Sequence, residues 1–532
     1  VTRKSSTRAA GSRLPILAVA FACLVVAVVY ANRSQGTYQD DDVDRYYLSR
    51  QVWSDPALLL DRWGMPLPVA AFSAPARLFG YGGVEGTTAV VTAFAAAAIG
   101  LAARAAGIGF PWVAALLFFF QPLVLELSFS GLAEPFAAAL VAATLWAWYA
   151  RRRGRAVWLA GLLPLARIDA GALTVLVLIA AWRSVRWRDR VGAVVPVLLW
   201  NLAGFARTGE PLYVFVLGGK KPLLSLGPDQ YLRHAIVAFG PVVLFFFMWA
   251  LAAWLLRAHT EAPTSGDRAR PSAPRGGFPA LAGAMVLLHT ALLCVLAWDA
   301  LPFGRSVGFL RHVVAFAPAL ALVAAWGVGT WLDAARRARW ALVAFAAAWT
   351  AIVAAFLSHV LTFHAIVAPG RVEWRWMVTA ALAGCAVIFR WRPPSRFASH
   401  IAVAAGAAAV AVAFMTVKPI GLDPERSAIQ VSIEQLRRIG LDDAVVYTNH
   451  PWFAFLTGRD RYDLARTPRL TRANLESAPV GSLVLWENHY GDRLWGDVPD
   501  TLLRNDPRFT RVMELEAGTE RNFHVVAFRK TK

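Results

Sequence analysis

Apolar stretches long enough to cross a bilayer recur along this chain, and most of them are bounded on one side by a short cluster of Arg or Lys. A spanning segment must satisfy its own backbone hydrogen bonds, so such stretches fold as helices unless strands close into a barrel. With 57% hydrophobic residues in 532, the chain has room for many crossings. The mean hydropathy of +0.48 excludes an ordinary soluble globular fold. The formal charge of +20 belongs to the same pattern. Its cations sit between apolar segments, as cytoplasmic loops require, and no nucleic-acid motif accompanies them. Nucleic acid is therefore not an expected partner.

Read in order, the first span covers residues 14–30, with Arg3, Lys4, Arg8 and Arg13 on its inner side. A cleavable signal peptide has the same shape, with Val29-Tyr30-Ala31 passable for cleavage, but the apolar run is already span-length and reads as an uncleaved anchor. Residues 65–79 are apolar but carry Pro66, Pro68, Pro75 and Arg77, and read as interfacial or re-entrant. Spans follow at 84–103, 108–125 and 132–150. Basic clusters flank 156–182 on both sides, so this stretch reads as two short helices whose tip, with Arg167 and Asp169, lies outside. Further spans are expected at 191–206, 234–256, 279–297, 312–332, 340–361, 376–389 and 398–417. The basic segments 257–275, 336–339 and 390–396 then fall inside, and 207–233, 299–311 and 363–375 outside. The total is about thirteen crossings, N-terminus cytoplasmic and C-terminus out.

The chemistry concentrates in the first outer loop. Asp40, Asp41, Asp42 and Asp44 lie together in Y-Q-D-D-D-V-D-R-Y-Y. Clustered carboxylates raise one another's proton affinity, which suits a general base; an Asp-rich turn capping a helix from Val43 is the plainer reading. Other charges gather on the same expected side: Arg167 and Asp169, Lys220 and Lys221, Arg305 and Arg311, with Glu126 and Glu134 flanking the turn 127–133. Cations on outward loops suit a lipid-linked phosphate, or simply anionic headgroups. Arg167 and Asp169 equally fit a structural pair closing their turn. His289 and His359 read as satisfied helix residues. Most of the 22 Trp fit interfacial belts.

The three cysteines, Cys23, Cys294 and Cys385, all lie in apolar segments, so no disulfide framework is expected. Metalloprotease, nucleophile-elbow and phosphate-loop motifs are absent, and the alternating Asp40, Asp42 and Asp44 lack the Gly and final Glu of a calcium loop. Beyond residue 418 the pattern changes. An amphipathic helix over 427–439 and strands over 444–448, 482–486, 511–515 and 523–528 describe a small α/β domain.

Four stretches resemble motifs of the GT-C superfamily of membrane glycosyltransferases, in the protein-mannosyltransferase and aminoarabinose-transferase branch. They are Asp41-Asp42-Val43-Asp44-Arg45-Tyr46-Tyr47, Gly131-Leu132-Ala133-Glu134-Pro135, Asn201 with Gly209-Glu210-Pro211-Leu212-Tyr213, and Arg311-His312 through Pro318. The resemblance implies an α-helical polytopic membrane protein, with residues 1–417 forming the multi-span domain, its acidic outer loop at 31–83, and 418–532 an extracytoplasmic α/β domain. It also implies an enzyme of the cell inner (plasma) membrane that moves a sugar from a polyprenyl-phosphate donor to a glycan, lipid or protein acceptor, among membrane lipids. Asp41 would be the base, with Asp42 and Asp44 orienting substrate or a divalent cation (Mg or Mn). Metal use varies in the family and none is assigned. Arg311 and Lys220 lead as phosphate ligands, with Lys221, Arg305, Arg167, Asp169 and Glu134 near the substrate. A secondary transporter would place its charges deeper and show repeated halves, which are not seen. An inactive envelope-assembly scaffold of the same fold is the other alternative.

Overall fold

The computed structural model describes residues 13–35, 39–215, 229–260, 277–297, 309–335, 398–441, 443–494, 497–517 and 523–532. The expected spans at 340–361 and 376–389 lie outside the described residues. Helix α1, Leu14–Arg33, buries Ile16, Cys23 and Ala27 along one stripe and leaves Leu17, Phe21 and Val25 exposed, an apolar outer face suited to lipid. After the acidic helix α2, Asp40–Gln51, the 40-residue run α3, Pro66–Ala105, is divided at Gly80. Gly80 has φ 63° and ψ −148°, a conformation that a side chain makes costly. The first arm carries Pro75, and the second is rich in Ala; Ala95, Ala96, Ala102 and Ala103 are fully buried, which lets neighbouring helices approach closely. This stretch therefore forms two helical arms that meet at Gly80.

Four described helices are long and apolar enough to cross a membrane: Leu14–Arg33, Pro66–Ala105, Trp187–Thr208 and Leu310–Trp331. The last is 94% buried and runs through the middle of the bundle, as an all-round apolar helix should. Residues 108–125, expected as one span, break into Pro111–Phe119 and Pro122–Leu127. Pro122 cannot continue the backbone ladder, and the Gln121 amide donates to Leu117 O and Ala317 O, both at 3.1 Å, tying the break to the head of the central helix. Residues 156–182 do reverse: Arg153–Gly161 and Gly171–Ala181 pack together, with Arg167 and Asp169 in the turn between them.

The C-terminal unit has four strands, β1 Val446–Tyr447, β2 Leu483–Glu487, β3 Phe509–Ala517 and β4 Phe523–Lys530, in the order β1-β2-β4-β3. β1 runs parallel to β2 and the other pairs are antiparallel. Both faces of β2 are buried. Leu483 and Leu485 pack with Ile429, Ile433 and Trp452 from the helices Pro424–Arg438 and Pro451–Thr457, while Val484 and Trp486 pack with Leu475, Leu503 and Phe528. The first of these cores continues without a break into Val43, Tyr46 and Tyr47 of α2 and Phe72 of α3. Tyr46, Tyr81 and Phe455 meet edge to face at 5.7–6.2 Å between ring centres, joining α2, α3 and the C-terminal unit. The end of α1 is also fastened to the segment entering that unit. Tyr30 donates its hydroxyl to Val417 O (3.1 Å), Gln35 N donates to Ile420 O (2.8 Å), and Ile420 N donates to Ser34 Oγ (3.0 Å).

Candidate active site

Four carboxylates in one and a half turns of helix should repel, and α2 resolves this by turning each toward a different partner. Successive helical residues point about 100° apart, and positions i and i+4 share a face. Asp40 and Asp44 accordingly both face the C-terminal unit: Tyr490 donates its hydroxyl to Asp40, and Arg461 pairs with Asp44. Tyr47, on the same side, donates to Arg459 O at 3.2 Å. Asp42 is fully buried, accepting from Tyr81 Oη (3.3 Å) and from the Gln39 backbone N (3.4 Å), the latter closing a capping box at the helix start. Asp41 turns toward the membrane helices. The dipole of α2 favours all of them at its N-terminus.

Arg311 meets Asp41 there. Its Nη2 lies 2.6 Å from Asp41 Oδ2, its Nη1 donates to Gln39 Oε1, and its Nε lies 3.3 Å from Glu134 Oε1. Glu134 Oε1 also takes Arg167 Nη1 at 2.6 Å, Arg167 Nε donates to Asp169 Oδ1 at 2.9 Å, and His289 Nε2 lies 3.4 Å from Asp169 Oδ2. The result is a continuous chain of alternating charge, Asp41–Arg311–Glu134–Arg167–Asp169, built from four separate segments. Pairing is obligatory because these groups are largely withdrawn from solvent, Glu134 with 3% of its side chain exposed and Arg311 with 10%. Asp41 retains 23% and is the most accessible of the three carboxylates in this network.

Backbone geometry holds the two ends together. Arg45, buried on α2, donates to Gly131 O (2.9 Å) and Gly64 O (3.1 Å), drawing the turn before Glu134 against the acidic helix. A Cβ on Gly131 would meet Asp42 O at 3.0 Å and Asp42 Cα at 3.2 Å, so glycine is what allows this approach. Glu134 then opens the helix Glu134–Tyr149.

Two solved structures are similar to the chain over nearly its whole length: ArnT from Cupriavidus metallidurans in the apo state, at a TM-score of 0.59 and 16% identity, and ArnT from the same organism bound to undecaprenyl phosphate, at 0.56 and 15%. Each match covers 96% of this chain and 97% of the other. The chain shares the fold of these two structures. No protein-family model and no curated protein sequence matches it.

Three of the four motifs converge on the charge chain. The fourth is a clasp. Asn201 donates to Pro211 O (2.9 Å) and accepts from Val214 N (3.1 Å), Tyr213 donates to Leu60 O (2.7 Å), and Glu210 pairs with Arg62 at 2.7 Å. These bonds fix the helix Trp187–Thr208 against the segment following α2. Lys220, Lys221 and Arg305 lie outside the described residues. Sequence reasoning assigned no role to Gln39, Arg45, Tyr81 or Tyr490, whose roles depend on partners far along the chain. It also passed over a group in which Asp40 meets Glu425, His450 and His489, with one ligand atom from each lying within 4.8 Å of the others. His450 and His489 follow no ligand spacing that a sequence scan would register.

Proposed function

We propose that this chain is an inverting membrane glycosyltransferase of the inner membrane that moves a sugar from a polyprenyl-phosphate donor to a hydroxyl acceptor at the outer face. The observation that carries the reading is Asp41, an accessible carboxylate at a helix N-terminus, in direct contact with a guanidinium. The likeness to an ArnT bound to undecaprenyl phosphate supports a lipid-phosphate partner.

In this mechanism the donor phosphate competes with Asp41 for Arg311. A phosphate offers a guanidinium the same bidentate geometry as a carboxylate and more charge. Once Arg311 turns to the phosphate, Asp41 is released to accept the acceptor hydroxyl proton. The acceptor oxygen attacks the anomeric carbon as its bond to the phosphate oxygen breaks, the configuration inverts, and the lipid phosphate leaves with its charge held by Arg311. Glu134 and Arg167 keep Arg311 aimed throughout. Asp42 and Asp44 position α2, Asp42 from the buried side and Asp44 through Arg461.

The test is transfer by purified protein in detergent from a panel of polyprenyl-phosphate sugars. Asp41→Asn is expected to lower kcat by roughly 10²–10⁴-fold while still binding donor, as removal of a general base does. Donor bound but never transferred by the wild type would favour the inactive scaffold instead.

A further inference from the structure

We propose that Asp40, Glu425 and His489 bind one divalent transition metal ion, Zn²⁺ or Mn²⁺, which locks the acidic helix to the C-terminal unit. The three groups come from α2, from the first turn of the helix Pro424–Arg438 and from the segment after β2. His489 Nδ1 lies 3.0 Å from Glu425 Oε2 and 3.7 Å from Asp40 Oδ2. Ligands about 2.0–2.2 Å from a Zn²⁺ ion stand roughly 3.3 Å apart in a tetrahedron; the two separations from His489 bracket that spacing, and the Asp40 and Glu425 oxygens lie within 4.8 Å of each other. Two carboxylates and a neutral imidazole balance a divalent ion, and the imidazole favours a transition metal over Mg²⁺.

The surroundings are those of an outer shell. Tyr490 donates its hydroxyl to Asp40 Oδ2. The Glu487 carboxylate accepts the backbone N–H of His489 (2.6 Å) and of Tyr490 (3.0 Å), holding the segment that carries the imidazole. His450, fully buried, caps the helix Pro451–Thr457 by accepting Trp452 N at Nδ1 (3.3 Å). That contact places its proton on Nε2, 3.4 Å from Glu425 Oε2, so His450 is the hydrogen-bonding support of a ligating carboxylate rather than a fourth ligand. The site differs from the Asp42 and Asp44 pair expected from sequence, whose side chains face different partners. It lies one residue from Asp41, so the ion sets where the first turn of α2 sits without touching the transferred sugar. The proposal stands apart from the reading of Asp41, since its readout is metal content.

The experiment uses the full chain, purified in detergent without a metal-affinity tag. Metal is measured by mass spectrometry after dialysis, and the chelator-stripped protein is titrated with Zn²⁺, Mn²⁺ and Mg²⁺. One tight equivalent of Zn²⁺ or Mn²⁺ and a Tm lowered by chelator are expected, with Mg²⁺ bound weakly. Glu425→Gln and His489→Asn should abolish tight binding, and His450→Ala should weaken it about 10–100-fold. A wild type that takes up no Zn²⁺ or Mn²⁺ equivalent and keeps its Tm in chelator overturns the site and leaves an ionic clasp in which His489 is protonated. That wild-type titration decides the matter even where a variant does not fold. A folded Glu425→Gln that retains metal as tightly as wild type overturns it too.

Discussion

Glu134 holds two guanidinium groups on a single carboxylate oxygen, at 2.6 Å from Arg167 and 3.3 Å from Arg311. Replacing it by Gln leaves two buried cations short of a counter-charge, and loss of one partner in such a network costs about 3–5 kcal/mol. Glu134→Gln should therefore lower Tm by several degrees as well as abolish transfer, whereas Asp41→Asn, at a more accessible position, should leave Tm almost unchanged. Differential scanning calorimetry on both variants separates the two roles. At this scale the sequence was informative where a charge stood against its setting: Arg167 inside an apolar stretch, Arg311 on an expected outward loop, Glu134 beside an outer turn. It was uninformative for Tyr81 and Arg45, because an aromatic or a cation in a mixed segment looks the same whether or not it has a buried partner. Nor could it divide the labour among the four aspartates. That depends on which neighbours surround each face of α2, and those come from as far away as Arg461 and Tyr490.

Helices were legible from apolar length, and their interruptions less so. The pause at Gly80 is foreshadowed by the prolines before it, but Pro122 sits inside an apolar run whose break shows only once Gln121 is seen bonding to the central helix. The reversal of 156–182 followed from the basic clusters on both flanks, since charge constrains the two ends together. Gly80 gives the clearest test at the level of an element. No atom lies within 4 Å of where its Cβ would be, so Gly80→Ala meets no clash and isolates the backbone cost of φ 63°. That cost is about 1–3 kcal/mol. The variant is expected to lose that much stability in denaturant unfolding and to transfer more slowly, because the first arm of α3 carries Phe72 and Ala76 into the core shared with α2.

For the whole molecule, the contact that matters most is between the beginning of the chain and its end. The Ile420 N–H bond to Ser34 Oγ closes a separation of 386 residues, and the acidic helix is then enclosed by side chains that follow residue 420, Glu425, Arg461 and Tyr490 among them. A protein cut after Leu422 should insert its spans yet leave 40–51 open to protease, where the full chain protects them; limited proteolysis in membranes reads the difference. The small α/β unit was visible in the sequence as a change in pattern, but its grip on the first loop was not, since composition carries no record of contacts so far apart. The closure also has a meaning in time. Ribosomes add about 5–20 residues per second, so on the order of half a minute passes between emergence of the aspartates and synthesis of the groups that hold them. Throughout that interval the acidic helix lacks the side chains that enclose it, and a polypeptide halted partway, however well inserted, holds its proposed base in an unfinished setting.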